Sequence, residues 1–599
     1  MANGDDVLQD DSVTAEDLPL KHDQHVSPWA VVGVLLAIFV TYALFADASS
    51  LWDRDEPRFA RSAYEMLTGG DWLVPDFNGD FRLHKPVFVY WLMAIGIKFI
   101  GFSELAVRMP SVLGITLSSL MVFFIGKRLF HSRVGLLAMC IFPTMLLPLV
   151  IGSAATADGT LLGFIVLSTW LIIEILYRSR WWMYLLLGLA LGGAQLTKGP
   201  VGLIPVLTFI GIMIAGRDGI ATITKGKVFG IFVAVLIAIA MFLAWGIPAN
   251  IATGGQFLNE GVGKHVVGRS VEAMESHGGS GLVGYLVSLP VYIPVLIVGV
   301  SPWVLFLPLG ISGQMRGYIG SPKARAVLWG WMVPTFILMS LVATKLPHYI
   351  LPIFPAVALM IAAAIYARAH EASPDDENGW LATGLWVFIP FMSLAALGGL
   401  VAPWLVTRGM IGFSYLLNLL FVAIMILLII LITRQVIKRQ LIHASVLVTL
   451  ILPLVTLPTY YLMMPGVNEE FKPSKTIAQG IHEIIGEDVP VVMSGYEEPS
   501  LVFYLKRPAG EVVEESGASP EKVYDWSRSG TPGVLIITAE NLKKVEDKFG
   551  PLRLHELFRD ETINYSAKGR QLDILVMGRG MTSSMLNRAT AYREHHGQS

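Results

Sequence analysis

The sequence predicts a polytopic α-helical membrane protein with a small α/β domain at its C-terminal end. Three observations carry that prediction. Of 599 residues, 54% are hydrophobic and only 15% are charged, against about a quarter charged in soluble domains. The apolar residues are gathered in blocks of roughly 18–23, the length that crosses ~30 Å of hydrocarbon as a helix. After about residue 464 the blocks stop, and short apolar runs alternate with amphipathic helical patterns.

In chain order, residues 1–27 are polar and acidic and read as a disordered cytoplasmic tail. A signal peptide would need a basic start and a shorter apolar core. Candidate spans follow near 28–48, 108–127, 134–151, 159–177, 181–197, 200–216, 228–248, 285–309, 326–343, 350–367, 380–402, 413–433 and 443–463. That is about thirteen by length. The stretch 86–101, "PVFVYWLMAIGIKFIG", is left out of the count. It is short, opens on Pro86, contains Lys98, and carries Tyr90 and Trp91, which suits an interfacial or re-entrant helix.

Charge asymmetry supports that choice. With the N-terminus inside, the cytoplasmic loops collect Lys127, Arg128 and Arg133, then Arg217, Lys225 and Lys227, and finally Arg434, Lys438 and Arg439. The short outer loops hold only Arg108, Lys198, Lys345 and Arg408. Counting 86–101 as a span would invert every later loop. Residues 49–107, 152–158, 249–284, 344–349 and the tail are therefore expected outside. The chain divides into a membrane domain, 28–463, whose outer loop 49–107 carries interfacial helices, and a periplasmic α/β domain, 464–599.

In the tail, "VPVVMSGY" and "GVLIITA" read as strands, while "PSKTIAQGIHEIIG" and "AENLKKVEDKFG" have helical spacing. The single cysteine, Cys140, lies in an apolar block, so no intramolecular disulfide can form. A net charge of −2 points to no nucleic-acid partner. No phosphate-binding glycine motif is evident, and no nucleotide cofactor is expected.

Five polar clusters fall on the outer side of this topology. "LWDRDEPRFAR", residues 51–61, presents three carboxylates and three guanidiniums directly after the first span. Asp55 suits the cap of a helix starting at Glu56 and Pro57, with Arg58 on the same side and Gly69 and Gly70 as the stop. "FRLHKP" supplies Arg82, His84 and Lys85. Asp158 sits at the outer end of a span. "NEGVGKHVVGR" holds Glu260, Lys264, His265 and Arg269, and "TKLPHYILP" holds Lys345, His348 and Tyr349. Each has a plain explanation alone: a helix cap, snorkelling cations, a solvated loop histidine. Together they bring carboxylates, cations, imidazoles and a phenol to one membrane interface. Lys and Arg bind phosphate, and a carboxylate can take a proton from an attacking hydroxyl. The set suits chemistry on a substrate with an anionic head and a lipid tail.

The order of these motifs resembles the lipid-linked-sugar glycosyltransferases of the GT-C class. The similarity is above all to the bacterial aminoarabinose transferases that modify lipid A, and more distantly to protein O-mannosyltransferases. It is carried by "DRDEPRFARSAYEMLTGGDW", by "KLPHYILP" and by "SLVFYLKR" in the tail. The resemblance implies that Asp55 is the catalytic base, that Arg58 and Lys85 hold the carrier phosphate with Tyr349 near it, and that Asp158 is a second active-site carboxylate. His265 falls where family members have a histidine that can bind a divalent metal. Where the family usually has Glu-Lys-Pro, this chain has His84-Lys85-Pro86, so His84 takes the place of an acidic metal partner; with His265 it could ligate zinc.

The expected activity is transfer of a sugar from a polyprenyl (undecaprenyl-type) phosphate to an acceptor such as lipid A. The reaction would take place at the outer face of the inner membrane, with inversion, and membrane lipids would surround the enzyme. Alternatives are a protein O-glycosyltransferase of the same class, a lipid-linked glycan polymerase or ligase, and a transporter. A transporter would place charges near the midplane and often show inverted repeats; here Glu174 is the main acid within a span and lies near its inner end.

Overall fold

The computed structural model describes residues 25–595, apart from 54, 217–222, 269–280, 371–377, 407–412, 487–488, 507–511, 514–518 and 566–568. The N-terminal tail predicted over 1–27 therefore lies almost wholly outside the described residues.

Helix α1, Pro28–Asp47, is the first apolar span. The amphipathic α2, Asp55–Leu67, follows, with Asp55 and Glu56 in its first turn. A two-residue hairpin, β1 (Asp76–Phe77) and β2 (Asp80–Phe81), leads to α3, Phe88–Ile100. At 13 residues α3 is too short to cross a bilayer, as the sequence predicts. It packs between α2 and α4, Glu104–Leu129.

Among the described residues eleven helices are long and apolar enough to span, or twelve if one bent pair is counted. This count by length and composition differs from the thirteen expected segments in two places. The length count takes 181–197 and 200–216 as one stretch, Trp181–Ala215, but the 3-10 turn Gly199–Leu203 reverses the chain: Lys198 reaches Asp158 at the cavity, Ile204 and Leu207 line the same cavity with Leu338, and Gly211 then packs on Gly330. Gly199 at φ +67° and Pro200 end the first helix there. The segment near 134–151 is the bent pair, Ser132–Thr144 and Leu146–Gly152, angled at 66° next to Pro143. Glu174, the acid inside a span, forms a bidentate pair with Arg128 at 2.8 and 2.6 Å.

The tail forms a five-stranded mixed sheet in the order β4-β3-β5-β7-β6. Its strands are β3 (Val491–Ser494), β4 (Val512–Val513), β5 (Gly533–Thr538), β6 (His555–Asn564) and β7 (Arg570–Arg579). β3 runs parallel to β4 and β5, and β7 pairs antiparallel with both β5 and β6. The two strands and two helices read from the sequence are all present, the helices as Ser474–Ile484 and Ala539–Phe549. The β6–β7 hairpin escapes the apolar-run signal because β6 carries charged residues along its exposed face.

The tail docks on the loop after α1. One continuous buried cluster runs from Phe59, Tyr90 and Met93 to Ile477, Phe503 and Ile536. Phe102 stacks on Phe503 with ring centres 4.4 Å apart.

Candidate active site

The loop after α1 is organised around a buried ion pair. Glu56, next to Asp55, meets Arg108 of α4 in a bidentate bridge: Arg108 Nη2 lies 2.7 Å from Glu56 Oε2 and Nε 2.9 Å from Oε1. The two side chains are 4% and 1% exposed. Arg108 also donates to the carbonyls of Ala46, Ser49 and Ser50 at 2.7, 2.7 and 3.1 Å. Glu56 accepts the amides of Trp52 at 2.7 Å and Ala155 at 2.5 Å. The end of α1, the start of α2, α4 and the loop before the next span are thus fastened at one point. Burial opposes the charge on Glu56, but Arg108 outweighs it, and the carboxyl is held below the ordinary glutamate range.

This junction corrects two sequence readings. Arg108 is not a loop cation but a sealed structural residue. α2 starts at Asp55 itself, one residue earlier than expected, and Glu56 accepts the amide of Trp52 ahead of the helix; Asp55 is exposed.

Beside the junction lies a cavity of about 480 Å3. Its polar groups are His84, Lys85, Asp158, Lys198, His348 and Tyr349. Asp158 stands in the first turn of the helix Ala157–Tyr177 and accepts from Lys198 Nζ at 2.5 Å. His348 Nε2 lies 3.7 Å from the other Asp158 oxygen, and Lys198 Nζ lies 5.2 Å from the centre of the Tyr349 ring. The charge of Lys85 acts on both Asp158 and His348, and the charge of Asp55 acts on His348 and Tyr90. Further along the Asp158 helix, Leu161, Leu162 and Ile165 line the same cavity, so it becomes apolar within two turns. The site is charged at one end and greasy along its depth, the shape that a phosphate on a lipid chain requires.

Of the residues singled out in the sequence, the structure gathers Lys85, Asp158, Tyr349 and His84 in the cavity wall. Asp55 does not line the cavity but lies within reach of its charges, and the half-buried Arg58 does not line it. Lys345 is not part of the site: its ammonium bonds the carbonyls of Ser340 and Val342 at the end of the preceding helix. The side chains of His265 and Lys264, and all of Arg269, lie outside the described residues. Among the described residues no three of His, Cys, Asp and Glu converge on a metal position. Sequence reasoning places two further participants on the outer side but gives them no role. Lys198 looks like an ordinary cation ending an apolar helix, and His348 is hidden beside Tyr349 in one short motif. The signal for Lys198 is "TKGP", a lysine held at a helix end by a Gly-Pro break on the same side as Asp158.

The matches to known proteins follow this architecture. Residues 84–245 match the family model described as dolichyl-phosphate-mannose-protein mannosyltransferase. The undecaprenyl phosphate-alpha-4-amino-4-deoxy-L-arabinose arabinosyl transferase of Edwardsiella ictaluri is 30% identical over 388 residues, 64% of this chain and 67% of the relative. That of Pectobacterium carotovorum is 31% identical over 389 residues, covering 63% and 66%. The chain belongs to this arabinosyl transferase family. It is a multi-pass membrane glycosyltransferase. The crystal structure of ArnT from Cupriavidus metallidurans bound to undecaprenyl phosphate has the same fold, with a TM-score of 0.71 over 93% of this chain and 99% of that one at 19% identity. Its apo form superposes with a TM-score of 0.66.

Proposed function

We propose that the enzyme transfers a sugar from an undecaprenyl-type phosphate carrier to lipid A at the outer face of the bacterial inner membrane, with inversion. Aminoarabinose is the first sugar to test, given the relatives' name. The observation that carries this reading is the cavity, which joins Lys85, Lys198 and Asp158 to an apolar wall.

In this reading Lys85 and Arg58 neutralise the phosphate as it leaves the anomeric carbon, with Tyr349 beside it. Such stabilisation is worth most where water is excluded. Asp158 holds Lys198 and keeps its charge at the cavity. Asp55 orients the acceptor and takes its proton if the acceptor is a hydroxyl; an acceptor that is already a phosphate needs only orientation. His84 and His265 are the candidate holders of a divalent metal such as zinc, measurable as metal content of the purified enzyme before and after His84→Ala. The match to a protein mannosyltransferase model over 84–245 keeps a protein acceptor as the second reading. Mass spectrometry of lipid A and of surface glycoproteins, with and without the gene, separates the two. An unchanged lipid A profile would remove the first.

The same proposal places 28–463 in the membrane as the transferase domain, and 464–599 in the periplasm. The lysine and arginine asymmetry supports a cytoplasmic N-terminus. Reporter fusions after residue 130 should report cytoplasm, and fusions after residue 470 periplasm. A cytoplasmic signal at 470 would overturn the orientation of the site.

A further inference from the structure

The segment that leads into α2 is built into the tail. Ser50 donates its amide and hydroxyl to Asn468 Oδ1 at 3.3 and 2.9 Å. The Leu51 amide donates to Tyr504 Oη at 2.8 Å and the Asp53 amide to Tyr565 Oη at 2.6 Å. Lys472 Nζ donates to the Ser50 carbonyl at 2.6 Å and lies 3.6 Å from the centre of the Trp52 ring. The Asp53 carboxylate closes the set. Its Oδ1 accepts the Ser500 amide at 2.9 Å, its Oδ2 accepts the Ser500 hydroxyl at 2.7 Å, and that hydroxyl is 2.7 Å from Ser474 Oγ.

We propose that Asp53 is a positioning residue for the transfer reaction: its two-point hold on Ser500 fixes the start of α2 and with it Asp55. The proposal rests on the reading that Asp55 works at the reacting atoms. Asp55 lies between two anchors. Asp53 ties the chain to the tail two residues before it, and Glu56 ties it to Arg108 one residue after. The Asp55 side chain is exposed, so its place is set by its backbone. The tail thereby helps to shape the site without lending it a reacting group.

The hold does not need charge. Burial pushes the Asp53 carboxyl up to about 7, and Glu498 adds to this, while the Ser500 bonds and Lys472 pull it down; Tyr496 and Tyr565 also face it. A protonated Asp53 still accepts the Ser500 amide and can donate to the Ser500 hydroxyl. Asparagine can do the same with its oxygen and its NH2 group.

The test uses the full-length enzyme in nanodiscs, with undecaprenyl phosphate-linked aminoarabinose as donor and lipid A as acceptor. Displacing a reacting group by about 1 Å can cost roughly 10²-fold. Asp53→Ala should lower kcat by at least ~10-fold, with the KM for donor and the melting temperature little changed, and Asp53→Asn should restore most of the rate. Ser500→Ala should show the same split and serves if Asp53→Ala does not fold. An unchanged kcat in Asp53→Ala, or a loss that appears equally in melting and donor binding and is not restored by asparagine, overturns the proposal. Asp55→Asn is run alongside. If it is inactive while Asp53→Ala is normal, only the positioning role fails; if it is fully active, the reading of Asp55 fails. Amide exchange tests the hold independently of the sugar. Exchange at the hydrogen-bonded amides of Leu51, Trp52 and residue 53 should quicken in Asp53→Ala, and unaltered protection there rejects the hold.

Discussion

Asp55→Asn should abolish sugar transfer while leaving insertion, folding and carrier binding intact. The side chain is exposed at the start of α2. The local structure is held by its neighbours, through Glu56 to Arg108 and through Asp53 to Ser500. Asparagine keeps the size and an acceptor oxygen and removes only the charge. If Asp55 takes or orients the acceptor proton, the loss falls on kcat, commonly ~10²–10⁴-fold for a general base. Lys85→Ala should differ, since Lys85 lines the cavity and would meet the carrier phosphate; the expected change is weaker carrier binding. The measurement is turnover by purified variants with lipid-linked donor, alongside undecaprenyl phosphate affinity. Normal turnover by a folded Asp55→Asn enzyme would leave Asp55 without a part in the chemistry.

The membrane architecture is legible in the sequence because hydrocarbon thickness imposes a length on every span, and length survives without tertiary information. The sequence misleads where the chain bends. At Pro143 a linear count cannot tell one bent span from two, whereas at Gly199-Pro200 the same punctuation marks a reversal of the chain. Lys85, Asp158 and Tyr349 are visible because topology alone puts them on one side. The pairing of Lys198 and His348 with Asp158 is not visible, since it depends on how three helices far apart in sequence pack together. Arg108 shows the opposite failure. A cation near the outer end of a span looks solvated in sequence, and only the fold reveals that Glu56 and three carbonyls enclose it.

That enclosure predicts a large stability effect. Arg108→Met should destabilise the enzyme by about 3–5 kcal/mol, the cost of leaving one member of a buried ion pair uncompensated. Glu56 would remain sealed with only the amides of Trp52 and Ala155 for partners. Glu56→Gln should cost a similar amount, because Arg108 stays charged and buried, and the side-chain NH2 would face two donors where each carboxylate oxygen now accepts from Arg108 and a backbone amide. The pH dependence follows from the sign of the shift. Glu56 is held below its ordinary range, so its folded carboxylate is favoured over the unfolded one. The pair therefore contributes fully above the unfolded glutamate value of about 4.3, and the contribution is lost as the pH falls below that value toward the folded one. Thermal melting in detergent, read from neutral pH down through this window, should show wild type losing stability on acidification and Glu56→Gln losing less. If Arg108→Met melts like wild type at neutral pH, the junction does not hold the outer loop. Asp55 would then have to be fixed from the tail side alone.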